Sequence, residues 1–290
     1  MPDLSRLVVG TAMRLYRASP LHPRWGARFA RLLSLVQRQG RTVLHDVGAF
    51  RMELDLAQVV DTQIYYTNAF EPMTVDAISR SVRSGDVAVD VGANVGFITL
   101  TLAHQTGVNG SVFAFEPTAA AFARLERNLS LNRFPQVRAL RVGLSDRVGT
   151  TRARFQSSYR IDGKDEVGEE EMTLTTLDAW VASERLSRLD FLKIDTDGME
   201  AHVLRGALES LKRLRPVVLF EFVPQALRDA GESAEAVLRL LAGVDYLFLR
   251  EGALTRWQSS EEAIDCASRG LFINLIAWPR ERDLPRSLPG

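Results

Sequence analysis

The chain lacks three features that would narrow its class at once: a set of cysteines, a long apolar run and a net charge. Its single cysteine, Cys266, excludes an internal disulfide framework and a cysteine-based zinc site, and it fits a reducing compartment. No apolar run approaches the roughly 20 residues that cross a bilayer, so we expect a cytoplasmic protein. Lysine plus arginine equals aspartate plus glutamate at 36 each, which gives no overall electrostatic case for a nucleic-acid partner.

Basic residues are concentrated at the beginning of the chain. Residues 1–45 contain eight arginines and one acid, Asp3. This segment is either an amphipathic basic helix that contacts an anionic membrane or a partner, or a helical extension whose arginines are solvated or paired elsewhere. We therefore divide the chain into a basic helical N-terminal extension, residues 1–45, and one domain, residues 46–290, which opens with a lead-in hairpin that turns at Gly48.

Short β-branched runs alternate with helical periods after residue 87, which predicts an α/β fold with a mostly parallel sheet. The strands are expected in VAVDVG, SVFAFEP, QVRALRVGLSD, LDFLKID and PVVLFEF. The runs DYLFLR and LFINLIAWP, with a polar turn between them, predict a C-terminal hairpin at the sheet edge. TTRARFQSS predicts an antiparallel strand. Six acids crowd residues 162–171, which we interpret as a mobile surface loop, with an acidic recognition patch or a lid as alternatives.

A glycine-rich turn, DVGANVG, follows the first of these strands. A dinucleotide fingerprint would have a glycine where Asn94 stands, and a carboxylate at Asp90 would repel a pyrophosphate. The same carboxylate suits a ligand that carries an ammonium and a sulfonium, and S-adenosylmethionine is such a ligand. The residues of this turn predicted to bind the cofactor are Asp90, Gly92, Ala93, Asn94 and Gly96.

The next two strands also end in polar residues. Glu116, followed by Pro117, stands 20 residues beyond Gly96, where a carboxylate accepts hydrogen bonds from both ribose hydroxyls. Ser145 and Asp146 close the third strand, where an adenine amino group needs an acceptor; the alternative is that they only cap a turn. All four residues are therefore candidates for cofactor binding.

Acids at the ends of the fourth and fifth strands are the candidates for catalysis. Asp195 is expected to remove the proton of an acceptor hydroxyl or to orient that hydroxyl, and Asp197 and Glu221 lie near it in this topology. These three carboxylates could instead bind Mg²⁺, which would lower the pKa of the hydroxyl. Glu200 is interpreted as a cap of the following helix, and Lys193 as a residue that neutralises a carboxylate or reaches water.

Taken together, the stretches DVGANVGFITL, FAFEP, RNLSLN, VGLSD, LTTLDAW, DFLKIDTDGMEAHVLRGA and PVVLFEF resemble the FkbM family of S-adenosylmethionine-dependent methyltransferases over residues 65–223. The resemblance implies a class I methyltransferase (Rossmann-like) fold, a seven-stranded sheet with a reversed final hairpin, and O-methylation of a hydroxyl on a sugar, glycan, polyketide or other natural product. The family usually reads K-I-D-V-E-G-x-E with an aromatic at x, whereas this chain has Thr196, Asp197 and Met199.

Other functions fit the sequence less well. A nicotinamide-dependent oxidoreductase is disfavoured by Asp90 and by the absent G-x-G-x-x-G. An RNA methyltransferase would need a basic, aromatic binding surface, and only the N-terminal extension offers one, through Tyr16, Trp25 and Phe29. A non-catalytic cofactor-binding scaffold is the third alternative. The oligomeric state stays open.

Overall fold

The computed structural model describes residues 42–156, 167–250, 260–268 and 273–284. Its strands are β1 (Thr42–Asp46), β2 (Arg51–Asp55), β3 (Val87–Val91), β4 (Ser111–Phe115), β5 (Val137–Leu140), β6 (Gly143–Leu144), β7 (Gly149–Gln156), β8 (Val167–Thr175), β9 (Phe191–Ile194), β10 (Val217–Phe222), β11 (Tyr246–Arg250) and β12 (Ile273–Pro279). Its helices are α1 (Val59–Thr67), α2 (Pro72–Ser81), α3 (Phe97–Thr106), α4 (Ala119–Ser130), α5 (Leu177–Ser183), α6 (Glu200–Arg205), α7 (Leu208–Leu214), α8 (Pro224–Asp229), α9 (Ala234–Ala242) and α10 (Ser260–Ser268). None of these helices is long and apolar enough to cross a membrane.

The main sheet has seven strands in the order β11-β12-β10-β9-β3-β4-β5. Strands β5, β4, β3, β9 and β10 are parallel to one another, while β12 runs antiparallel to both β10 and β11. The expected class I methyltransferase fold, with a mostly parallel sheet and a reversed C-terminal hairpin, is confirmed. The reversed strand β12 lies inside the sheet, which leaves β11 at the edge.

Both faces of the sheet are covered, because alternate residues of its central strands enter two different cores. In β10, Val218 and Phe220 belong to a core with α5, α6, α7 and α9, whereas Val217 and Leu219 belong to a core with α2, α3 and the lead-in hairpin. A strand packed on both faces has few polar positions, which explains the almost continuous apolar run VVLFEF.

The predicted lead-in hairpin is present. Strands β1 and β2 pair antiparallel, and Gly48 supplies the positive φ of 93° that the turn requires. Strand β1 begins at Thr42, so residues 42–45 belong to the hairpin. Residues 1–41 of the basic helical extension lie outside the described residues, and its boundary and membrane contact stay predictions.

Two asparagines of the α4 region join this hairpin to the glycine-rich turn. Asn128, which is buried, accepts a hydrogen bond from the amide of Glu53 at 2.7 Å and donates one to the carbonyl of Val95 at 2.8 Å. Asn132 accepts from the amide of Arg51 at 2.9 Å and donates to its carbonyl at 2.8 Å. The open edge of β2 is thereby satisfied by side chains instead of by another strand.

The interpretation of residues 162–171 as a mobile loop was wrong for residues 167–171, which belong to β8; residues 162–166 lie outside the described residues. Strand β8 pairs antiparallel with β7 and parallel with β6 in a separate three-stranded sheet. Arg152 of β7 lies opposite Glu171 in the register, and its Nε is 3.9 Å from Oε1 of Glu169. Cross-strand pairing of opposite charges therefore offsets the repulsion that favoured a loop.

Two further expectations are corrected. The run QVRALRVGLSD is not one strand, because the chain leaves the main sheet after Leu140 and Gly143–Leu144 pairs with β8 in the small sheet. The linker between the last two strands is not only a polar turn, because Ser260–Ser268 forms α10; Ala263, on the inner side of this helix, is fully buried. Residues 251–259 lie outside the described residues.

We expect Asn128→Ala to lower the free energy of unfolding by about 2–4 kcal/mol, because it leaves two buried backbone groups without their partner. Asn132→Ala is the matched control. It removes a similar pair of hydrogen bonds at a more exposed position, where water replaces them, and should cost about 1 kcal/mol or less. Urea unfolding measures both; equal losses would contradict the role given to Asn128.

Candidate active site

The glycine-rich turn is fixed by the main chain of its neighbours. The amides of Gly92 and Ala93 both donate to the carbonyl of Phe115, at 2.9 and 3.0 Å. Gly92 has φ 77°, and a Cβ there would lie 1.8 Å from the carbonyl oxygen of Asp195, so only glycine fits. A Cβ at Gly96 would lie 2.6 Å from Leu125 Cδ1. The turn therefore packs between the ends of β4 and β9.

Glu116 meets the turn directly. Its Oε2 accepts from the amide of Asn94 at 2.9 Å, and its Oε1 accepts from the amide and the hydroxyl of Thr118 at 3.0 and 2.6 Å. Burial raises the pKa of Glu116, and these hydrogen bonds lower it in part. Asn94 is exposed in the left-handed region, at φ 47°. The structure places Glu116, followed by Pro117, beside the turn, while contact with a ribose stays a prediction.

Asp90 has no exposed surface. Its Oδ2 accepts a hydrogen bond from the Thr99 hydroxyl at 2.6 Å, and its Oδ1 lies 3.9 Å from Lys193 Nζ. Burial raises the pKa of Asp90, whereas the charge of Lys193 lowers it. Asp90 thus connects β3 to the first turn of α3 and faces a buried cation, and its role in binding the cofactor stays a prediction.

Lys193 neutralises carboxylates and does not reach water. It is buried in β9, and its Nζ lies 2.8 Å from Asp195 Oδ2. Burial alone would lower the pKa of Lys193, but the charges of Asp195, Asp90 and Glu71 outweigh it and raise the pKa. Lys193 is therefore a cation at neutral pH, held between the end of its own strand, the neighbouring β3 and the residue that precedes α2.

Asp195 lies at the carboxyl edge of the sheet, directly after β9, as expected. Its amide donates to the carbonyl of Val91 at 3.0 Å, and its own carbonyl packs against Gly92. Its side chain keeps 29% of its surface exposed, in contrast to that of Asp90. A ligand at the glycine-rich turn and a second ligand over β9 would therefore both lie near Asp195.

The loop after Asp195 is held by Glu200, the first residue of α6. Glu200 is buried, and its Oε1 accepts hydrogen bonds from the amide and hydroxyl of Thr196, at 2.8 and 2.9 Å, and from the amide of Gly198, at 3.3 Å. Glu200 stands in the first turn of α6, as expected for a residue that interacts with the helix N-terminus, but its side chain bonds to the preceding loop. Asp197 occupies the left-handed region, with φ 52°, and is exposed.

Glu221 lies near the end of β10, the neighbour of β9. Burial raises the pKa of Glu221 to about 8, and the charges of Asp195, Glu200 and Asp197 add to the shift. Charges act on one another in this way only at short range, so Glu221 and Asp195, which were predicted at the ends of two strands, lie at the same edge of the sheet. Glu221 consequently holds a proton at neutral pH and releases it in a mildly basic solution.

The same three acids do not form a metal site. Within the part of the chain that the structure describes, no group of three or more histidines, cysteines, aspartates or glutamates is placed to hold a metal ion. The alternative in which Asp195, Asp197 and Glu221 bind Mg²⁺ is therefore corrected. The physical reason is that Lys193 already supplies the positive charge next to Asp195.

Ser145 and Asp146 follow the small-sheet strand β6 instead of a strand of the main sheet. The amide of Ser145 donates to the carbonyl of Thr175 at 2.9 Å. Asp146 Oδ2 lies 2.8 Å from Nδ1 of His202 in α6. This hydrogen bond holds the pKa of Asp146 below its usual value.

Sequence reasoning missed two features close to Lys193 and Glu221. Glu71 precedes Pro72 with φ 43°, in the left-handed region, and its charge acts on Lys193. Asn274 of β12 donates to the hydroxyl of Thr74 in α2 at 3.0 Å, and it lies opposite Glu221 in the strand register. Glu71 stands directly before Pro72, a position that disfavours helix, but the sequence gives no sign that its charge acts on Lys193.

Comparison with known proteins gives consistent matches. The family model of the methyltransferase FkbM domain matches residues 90–248. The methyltransferase sdnD of Sordaria araneosa is 25% identical over 223 residues, which cover 64% of this chain and 85% of that protein. The hexuronic acid methyltransferase AglP of Haloferax volcanii is 34% identical over 154 residues, covering 51% and 61%. The 31-O-demethyl-FK506 methyltransferase FkbM of Streptomyces tacrolimicus is 26% identical over 226 residues, covering 66% and 84%.

Among solved structures, a methyltransferase FkbM from Methylobacillus flagellatus aligns with a TM-score of 0.42 at 15% identity, over 88% of this chain and 60% of that one. A SAM-dependent O-methyltransferase from Thermotoga maritima aligns with a TM-score of 0.44 at 14% identity, over 88% and 83%. The family model carries the assignment, because it spans more than half of the chain. The chain therefore belongs to the FkbM family of S-adenosylmethionine-dependent methyltransferases.

Proposed function

We propose that the chain transfers the methyl group of S-adenosylmethionine to a hydroxyl group of a sugar, glycan, polyketide or other natural product. The observation that carries the proposal is the shared edge at which Asp195 and Glu221 lie beside the turn that begins at Gly92. The names of two relatives are consistent with a hydroxylated acceptor: one is a hexuronic acid methyltransferase and the other a 31-O-demethyl-FK506 methyltransferase.

The residues of the turn fit this cofactor. Glu116, which directly follows β4, accepts two hydrogen bonds on Oε1 and one on Oε2, so Oε2 keeps acceptor capacity for a ribose hydroxyl, and Asn94 is exposed next to it. Pro117, Ser145 and Asp146 are proposed to contact the adenosine part. S-adenosylmethionine, when bound, supplies an electrophilic methyl group on a sulfonium. The carboxylates around Lys193 outnumber this cation, so the edge keeps the negative charge that suits a sulfonium.

Two carboxyl groups are proposed to have different roles toward the acceptor hydroxyl. Asp195 is proposed to orient the acceptor hydroxyl, because its charge is balanced by Lys193 at 2.8 Å and its orientation is fixed by that pair. Glu221 is proposed to take the proton of the hydroxyl, because a group with a pKa of about 8 accepts a proton more readily than an ordinary carboxylate. Asp197, which is exposed on the loop after Asp195, is proposed to contact the acceptor.

Glu116→Ala should raise the Kd for S-adenosylmethionine by about 10- to 100-fold, the loss expected when charge-assisted hydrogen bonds to a ligand are removed. Isothermal titration calorimetry measures this. The control is Glu126→Ala, which removes an exposed carboxylate of α4 and should leave the Kd unchanged. Unaltered binding by Glu116→Ala would rule out its assignment, and absence of binding by the unmodified chain would overturn the proposed function.

The rate of methyl transfer should depend on the ionisation of Glu221. Glu221 must lose its proton before it can accept one, so kcat/KM should rise as pH increases and level off above about 8. Glu221→Gln should remove this rise and lower kcat by about 100- to 10,000-fold. The assay follows radiolabelled methyl groups into a panel of uronic acids and hydroxylated polyketides.

The control for that experiment is Asp229→Asn, which alters an exposed acid of α8 and should keep the full pH profile. A profile that keeps its rise near pH 8 in Glu221→Gln would show that another group accepts the proton. Asp195 would then be the remaining candidate at this edge.

A further inference from the structure

Asp146, which is proposed to contact the adenosine part of the cofactor, forms a cluster with three charged or titratable residues that have no role in the proposed reaction. Asp146 follows β6, His202 and Arg205 belong to α6, and Glu232 lies between α8 and α9. We call these four residues the Asp146 cluster. The side chains are partly buried, with exposed fractions of 28% for Asp146, 21% for His202, 35% for Arg205 and 15% for Glu232.

The two residues of α6 each bridge both acids. His202 Nδ1 lies 2.8 Å from Asp146 Oδ2, while its Nε2 lies 3.5 Å from Glu232 Oε1. Arg205 pairs with both oxygens of Glu232, and its Nε lies 3.6 Å from Asp146 Oδ2. A carboxylate held by two groups of the same helix loses most of its rotamer freedom. The Asp146 side chain is therefore fixed before any ligand arrives.

The main chain fixes the same junction. A Cβ at Gly206, directly after α6, would lie 1.9 Å from the carbonyl oxygen of Ser145, so the end of the helix packs backbone against backbone. A Cβ at Gly143, two residues before Ser145, would lie 3.4 Å from Pro117 Cβ, and Pro117 follows Glu116. Asp146 is thus placed on a rigid turn next to the strand end that is proposed to bind the ribose.

We propose that His202 and Arg205 are positioning residues, which hold the Asp146 carboxylate so that it accepts a hydrogen bond from the 6-amino group of the cofactor's adenine. This inference rests on the proposed function. The benefit is pre-organisation: the carboxylate is ordered in the folded chain, so its ordering does not reduce the affinity for the ligand. Both contacts from α6 go to Oδ2 of Asp146, so its Oδ1 keeps acceptor capacity for a further donor.

The test compares two product-like ligands that differ only at the purine 6-position. S-adenosylhomocysteine carries the 6-amino donor, and S-inosylhomocysteine carries a 6-oxo group, which is an acceptor. Calorimetry on the full chain should give a preference of about 10-fold or more for the adenosyl ligand, and Asp146→Ala should abolish it. His202→Phe should reduce the preference by about 3- to 10-fold, since it frees the carboxylate.

Rescue and control variants separate positioning from a general loss of structure. His202→Asn keeps an amide donor near Nδ1 and should restore most of the preference, while His104→Phe changes an exposed histidine of α3 and should leave it intact. Circular dichroism checks folding. If His202→Phe does not fold, Glu232→Gln replaces it, and the adenosyl preference should fall in the same direction.

The outcomes distinguish this inference from the proposed function. An unmodified chain that binds both ligands equally well, or a His202→Phe variant with full preference, would overturn the positioning role while leaving the methyltransferase assignment standing. If the unmodified chain bound neither ligand, the proposed function would fail together with the inference.

Discussion

The ion pair between the buried Lys193 and the partly exposed Asp195 is the constraint on which the arrangement of the site depends. Lysine in a strand covered on both faces is costly unless a carboxylate lies within contact distance, and here Asp195 is at 2.8 Å and Asp90 at 3.9 Å. The two acids come from neighbouring strands, because Asp90 is opposite Lys193 in the register of β3 and β9. Any shift of β9 against β3 would separate these charges, so the pair fixes the register at the carboxyl edge of the sheet.

That register also determines the shape of the glycine-rich turn. Gly92 can pack against the carbonyl of Asp195 only because β3 and β9 end at the same height. Glu116 then closes the other side of the turn through the amide of Asn94. The main chain at this edge is therefore held from both neighbouring strands, which gives a ligand a preformed surface. The ion pair thus fixes the register of β3 and β9, and that register fixes the conformation of the glycine-rich turn.

The sequence predicts best where one residue pattern has one structural solution. The apolar run of β10 and the glycine at position 48 have few alternatives, and both expectations are confirmed. It predicts poorly where the outcome depends on a distant partner. The acids of β8 look like a repelling loop until the arginines of β7 lie opposite them, and Glu71 gives no sign that its charge acts on a lysine 122 positions later in the chain. Asp90 illustrates a third limit, because sequence position locates an acid at a strand end but not whether its carboxylate is exposed.

Two segments next to Glu221 lie outside the residues that the family model matches. Thr74 and Asn274 both lie beyond residues 90–248, yet their hydrogen bond joins α2 to β12, and Asn274 is paired with Glu221 in the sheet. The carboxyl groups proposed to act on a hydroxyl belong to the matched region, whereas Thr74 and Asn274 do not. Such a division allows one methyl-transfer edge to be combined with different acceptor surfaces. We therefore expect the choice of acceptor to depend on α2 and β12, and the chemistry to depend on the strand ends that carry Asp195 and Glu221.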